Sequence, residues 1–172
     1  MKKILSLCSS LLAASLLAAA DEESATLVKT GQAAPEFKVT TLDGKTFDLK
    51  DAKGKVVLVN FFATWCGPCM AEMPHLQDQI WSRFQGTNFV LVAIDREETE
   101  PVVTAFQKQH AFPFPIACDL KREVYAKFAT QYIPRNFLLD ANGSVVFESV
   151  GYTPAEFDKL VAAIQTETAK TR

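Results

Sequence analysis

Residues 61–74 read FFATWCGPCMAEMP, and its two cysteines, Cys66 and Cys69, are separated only by Gly67 and Pro68. Upstream, KVVLVNFFATW (55–65) is almost continuously apolar and β-branched, the pattern of a strand buried on both faces. Downstream, Met73, Leu76, Ile80 and Phe84 recur at spacings of three and four, which predicts a helix. Pro68 suits the first turn of that helix, and Pro74, further in, predicts a kink. The cysteines therefore stand where a buried strand gives way to a helix.

That position carries chemistry. A helix N-terminus has unsatisfied N–H groups and partial positive charge, so a thiolate placed there is stabilised and its pKa falls below about 8.5. Cys66, at the helix mouth, is expected to turn its sulfur to solvent. Cys69, one turn in, is expected to be more buried. Such asymmetry suits thiol–disulfide exchange: Cys66 attacks a partner disulfide, and Cys69 resolves the mixed disulfide. Gly67 would let the backbone pass closely and Pro68 would stiffen the turn. A zinc site needs about four ligands, and Cys118, His75 and His110 show no paired spacing. A permanent staple gains little, because so short a loop constrains the unfolded chain weakly.

The flanking sequence completes a mixed sheet. FKVTTLDGKTFDLK (37–50) holds two alternating runs around Asp43-Gly44, a hairpin signal. NFVLVAID (88–95) is a second buried strand, followed by a helix over 99–110 with Val102, Val103, Phe106 and His110 on one side. FPFPIACD (112–119) reads as a short strand and 120–129 as a helix striped by Leu120, Val124 and Phe128. NFLLDANGSVVFESVG (136–151) predicts a hairpin turning at Asn142-Gly143. Thr153-Pro154-Ala155-Glu156 is a capping box, and Phe157, Leu160, Val161 and Ile164 form the buried face of a last helix. Strand–helix–strand units imply a parallel core, to which the later hairpin adds antiparallel strands. Helices are expected on both faces of the sheet, in one α/β domain over 35–172.

The N-terminus differs in kind. MKK precedes the apolar ILSLCSSLLAASLLAAA, and Ala18-Ala19-Ala20 precedes DEES. This is the pattern of a secretory signal peptide over 1–20 cut after Ala20, with a membrane anchor and a lipid-modified Cys8 as the weaker readings. Residues 21–34 read as a flexible leader. Without 1–20 the chain keeps 16 of 18 basic residues and all 20 acidic ones, a net charge of −4. No basic stripe survives, so nucleic acid is not an expected partner. The mature chain then holds Cys66, Cys69 and Cys118, an odd number that argues against a disulfide-stapled fold. Cys118 reads as a small buried hydrophobe. Lone His75 and His110 read as helix-surface or core-edge residues.

Trp65-Cys66-Gly67-Pro68-Cys69 behind a buried strand resembles the active-site motif of the thioredoxin superfamily. Pro74, five residues past Cys69, matches that family's helix-kinking proline, and Ile133-Pro134 its cis-proline. More narrowly, the chain is similar to the exported TlpA/ResA-like branch related to AhpC/TSA redoxins, to which the hairpin 37–50 and the insert 96–130 belong. The resemblance implies a thioredoxin-like fold and a Cys66–Cys69 dithiol/disulfide cycle needing no other cofactor. It implies that Cys66 is the nucleophile and Cys69 the resolving residue. Trp65, Gly67, Pro68, Ile133 and Pro134 would meet the substrate. Glu72, three residues past Cys69, stands where the ResA-like group has an acidic residue, and is either a proton relay or a solvated helix residue. Asn60 replaces thioredoxin's buried aspartate and cannot take a proton. Arg135 follows Pro134 where thioredoxin has threonine, and either biases partner choice or lies on the surface.

The leading reading is an exported, periplasmic protein-disulfide reductase, monomeric, acting on protein disulfides and recharged by a membrane electron donor. Its Gly-Pro pair is that of thioredoxin, whose potential is about −270 mV. A thiol peroxidase is the first alternative, but Val59 and Ala63 occupy the proline and threonine positions of the peroxiredoxin pattern. A metal-handling or redox-sensing module is the second, but copper-binding relatives resemble a wider cysteine spacing.

Overall fold

In the computed structural model, which describes residues 20–171, every residue of strand β3 (Val56–Phe62) is buried. Its side chains alternate between two apolar clusters. Val56, Leu58 and Phe62 join one; Val57, Val59 and Phe61 join the other. Each such buried side chain contributes roughly 1.5–3 kcal/mol, which makes β3 the spine of the domain.

Around it the sheet runs in the order β5-β4-β3-β6-β7. Strand β4 (Phe89–Asp95) lies parallel to β3, and β5 (Ile116–Cys118) parallel to β4. Strands β6 (Arg135–Leu139) and β7 (Val145–Val150) form the antiparallel half, with Asn60 of β3 opposite Asn136 of β6. The β6–β7 turn passes through Gly143 at φ 85°, a left-handed conformation that glycine adopts without strain. The predicted hairpin at Asp43-Gly44 is the separate pair β1 (Lys38–Thr40) and β2 (Thr46–Asp48).

Helix α1 (Gly67–His75) starts at Cys66, whose sulfur accepts the Cys69 N–H, and contains Pro74. Proline supplies no donor to the carbonyl one turn back. The helix then widens into a π-helical stretch, Leu76–Trp81, before Ser82–Phe84 closes it. Helix α2 (Glu100–His110) and helix α4 (Pro154–Lys170) pack with α1 in the first cluster. The capping box holds at α4, where Glu156 N–H donates to Thr153 Oγ1 at 3.2 Å. The opposite face carries the β1–β2 hairpin and helix α3 (Tyr125–Phe128).

Four expectations need correction. The helix placed over 120–129 shrinks to α3, because the Asp119 carboxylate accepts the N–H groups of Glu123, Val124 and Tyr125 and holds the preceding loop instead. Leu120 is exposed there rather than striped into the core. On α2, only Val103 and Phe106 are buried; Val102 and His110 face outward. The stretch 21–34, expected as a flexible leader, is docked. Residues 20–25 are helical, Ala25, Thr26 and Val28 are buried, and Leu27 N–H donates to the Phe128 carbonyl at 2.9 Å. The apolar residues in that leader find a place on the second cluster, which its polar composition concealed. The signal-peptide expectation falls on residues 1–20, of which all but Ala20 lie outside the described residues.

Candidate active site

Cys66 and Cys69 form a disulfide at the mouth of α1, with Cα atoms 5.2 Å apart. Cys69 is fully buried, as expected. Cys66 is only 4% exposed, against the expectation of a solvent-facing sulfur. The cause is the loop before β6: Ile133-Pro134, a cis peptide, brings the Ile133 carbonyl to 3.7 Å from the Cys66 sulfur. What reaches solvent is the rim. Gly67 and Pro68 are exposed, and Trp65 is 58% exposed. Gly67 is not a point of close backbone approach, because an added Cβ would meet nothing within 4 Å. Open space lies over Gly67 at the rim, while the sulfurs themselves stay covered.

Behind the disulfide lies Glu72, one turn past Cys69 and only 2% exposed, so it is not a solvated helix residue. Two asparagines hold it. Asn136 Nδ2 donates to Oε1 at 2.6 Å and Asn60 Nδ2 to Oε2 at 3.0 Å, while Asn60 also reaches Asn136 Oδ1 at 2.9 Å. Burial raises the Glu72 pKa from 4.5 to about 7; the two amide donors pull the other way and lose. A buried carboxyl that changes charge near neutral pH, one helical turn from Cys69, is equipped to exchange a proton with it. The sequence located Glu72 but not its holders: Asn60 and Asn136 are 76 residues apart and meet only through the β3–β6 register.

Arg135 is neither a surface residue nor a charge offered to partners. It is fully buried, with Nε donating to the Gln131 carbonyl at 2.8 Å and Nη1 to Thr26 Oγ1 at 2.7 Å. It ties the docked leader to the Ile133-Pro134 loop. A second unforeseen tie runs through Arg96. Its guanidinium lies over the Trp65 ring at 5.7 Å and the Tyr125 ring at 5.2 Å, and Tyr125 donates its hydroxyl to the Tyr132 carbonyl, next to Ile133. His75 stacks on Tyr152 and is half-buried; His110 is exposed. Their partners are Gln79, Tyr152 and Phe157 for His75, and Phe106 and Phe112 for His110. Cys118 is half-buried rather than enclosed, and burial with Asp95, Glu100 and Glu98 nearby pushes its thiol up to about 12.

An accessible rim over a strand-to-helix disulfide supports one kind of work, the passing of a disulfide between chains, and this is the class of the thiol–disulfide oxidoreductases with a thioredoxin-like fold. The chain belongs to the AhpC/TSA family, whose pattern matches residues 30–148. It is similar to thiol-disulfide oxidoreductase ResA of Bacillus cereus, with 38% identity over 132 residues, 77% of this chain and 74% of the relative. A Bacteroides thetaiotaomicron protein solved in solution superposes with a TM-score of 0.81 at 36% identity, over 84% of this chain and 93% of the other. A thioredoxin-family thiol:disulfide interchange protein from Chlorobium tepidum gives 0.68 at 31% identity, over 82% and 98%.

Proposed function

We propose that the chain works outside the cytoplasm as a reductant of protein disulfides, with Cys66 as nucleophile, Cys69 as resolving cysteine and Glu72 as proton acceptor. In the reduced state the Cys66 thiolate attacks a substrate disulfide; one S–S bond forms as the other breaks, and the departing substrate sulfur takes a proton. Cys69 then gives its proton to the Glu72 carboxylate and attacks the Cys66 sulfur. This closes the Cys66–Cys69 disulfide and releases the second substrate thiolate. Trp65, Gly67 and Pro68 meet the substrate on one side, and Ile133-Pro134 on the other. An electron donor, expected at the membrane, restores the dithiol.

The observation that carries the reductive direction is the burial of both sulfurs beside Glu72. A protein that stabilises its thiolates is an oxidant. Here the helix N-terminus favours a thiolate on Cys66 through one N–H, from Cys69 at 3.2 Å. Cys69 has no exposure, and a negative charge on Glu72 opposes a second thiolate. The dithiol is therefore held weakly relative to the disulfide. The test is the reduction potential of the couple, expected near about −270 mV, together with insulin reduction. Cys66→Ser should abolish the reduction, and Cys69→Ser should trap a mixed disulfide. A potential near about −120 mV would reverse the direction, and activity retained in Cys66→Ser would remove the mechanism. Export is tested by locating the protein in cell fractions.

A further inference from the structure

Between β4 and α2 the chain makes a turn, Arg96-Glu97-Glu98, that the exchange chemistry does not use. Glu98 reaches back to the residue two before Cys66. The Thr64 N–H donates to its Oε2 at 2.6 Å and the Thr64 hydroxyl to its Oε1 at 2.8 Å. Both carboxylate oxygens thus accept from one residue of the cysteine loop, each with a lone pair to spare. Glu98 is itself held from below. Asp95, the last residue of β4 and fully buried, accepts the N–H groups of Glu97 at 3.0 Å and Glu98 at 2.6 Å through Oδ1. Its other oxygen, Oδ2, is buried without a donor. The same turn places Arg96 against the Trp65 ring, and Glu97 pairs with Arg96 at 3.6 Å and with Arg122.

We propose that Glu98, latched by a proton shared with Asp95, is the positioning residue of the nucleophile loop, gripping Thr64 and so fixing where Trp65 and Cys66 stand. The orphaned Asp95 oxygen is the first reason. A buried acceptor without a donor is costly, whereas a protonated Asp95 carboxyl becomes the donor and its neighbour Glu98 the acceptor. Burial, then Glu98, push the Asp95 carboxyl up to about 8; burial also raises Glu98, but its bonds to Asp95 and Thr64 together outweigh that and draw it below its usual range. The second reason is spacing: the grip falls on Thr64, and nothing but Trp65 lies between it and the attacking sulfur. A small displacement there is enough to lower the exchange rate. The inference rests on the exchange activity of Cys66 but not on its direction.

The charged and titratable groups facing the pair are Arg96, Glu97 and Glu100 on the chain that follows it, Cys118 and Asp119 from β5 and its end, and Tyr125 beneath Arg96. Loss of the shared proton above pH 8 sets two carboxylates against each other and loosens Thr64. The oxidised protein is the clean place to see this, since a disulfide does not titrate. In a Trp81→Phe background, Trp65 emission should show an inflection near pH 8 that vanishes in Asp95→Asn and in Glu98→Gln. In the reduced protein, Glu98→Ala should lower kcat/KM for insulin disulfides about tenfold. Glu98→Gln, whose amide can still accept from Thr64 and donate to Asp95, should recover most of it. An inflection that survives both substitutions, a folded Glu98→Ala protein with wild-type kcat/KM, or a glutamine variant as slow as alanine would overturn the proposal. If Glu98→Ala does not fold, the glutamine variant and the titration decide. A wrong redox direction would change the measured potential and leave the Trp65 titration as it stands.

Discussion

Replacing Glu72 by glutamine should change how stability depends on pH, by an amount the site itself sets. In the folded chain burial holds this carboxyl at about 7, against 4.5 for an exposed one. The folded state therefore binds the proton more tightly than the unfolded state between those values. Stability must fall as pH rises through that window, and the loss is complete once pH passes the folded value. At about 1.4 kcal/mol per unit of pH, the full effect is about 3 kcal/mol. Glutamine cannot ionise, and its amide brings a donor to a site where Asn60 Oδ1 has none. The Glu72→Gln protein should thus gain on wild type by about 3 kcal/mol between pH 4 and pH 8.5, whatever the offset at pH 4. Guanidinium unfolding of both oxidised proteins across that range measures it. In melting temperature the gain is roughly 6–12 °C for a domain of this size. Asp95 contributes a loss of the same sign to both proteins and cancels in the difference. Parallel curves for the two proteins would refute the reasoning and return Glu72 to a role without proton exchange.

Two further outcomes follow from buried hydrogen bonds. Asp119→Ala removes the acceptor for the N–H groups of Glu123, Val124 and Tyr125, which should cost about 2–3 kcal/mol in urea unfolding. Thr26→Val leaves Arg135 Nη1 without its acceptor, beside an Nη2 that already lacks one, and should cost about 1–3 kcal/mol. In that variant limited proteolysis should cut within residues 20–34 sooner than in wild type.

How far the sequence could be read depended on how local each signal was. The cysteine pair at a helix start, the two Gly-containing hairpin turns and the Thr153 cap are written in a few adjacent residues, and each stands where the spacing placed it. The helix over 120–129 failed because periodicity does not register a side chain that captures backbone donors, as Asp119 does. The holders of Glu72 were out of reach for a different reason. Asn60 and Asn136 look like polar interruptions in two apolar strands until the register sets them side by side. Arg135 was misjudged because a charged residue reads as exposed. Its acceptors, Thr26 and the Gln131 carbonyl, come partly from a leader whose composition does not advertise packing.

Cys118 has a consequence for a molecule that spends its life trading sulfur bonds. With its proton held until about pH 12, only about one molecule in 10⁵ carries the reactive anion there at neutral pH. The Cys118 sulfur is a bystander through repeated turnover, and its scrambling with the working pair is suppressed by the proton it keeps. Brief alkylation of the reduced protein near pH 7 should therefore mark Cys66 and spare this position, so that a single labelled peptide reports the redox state of the whole population.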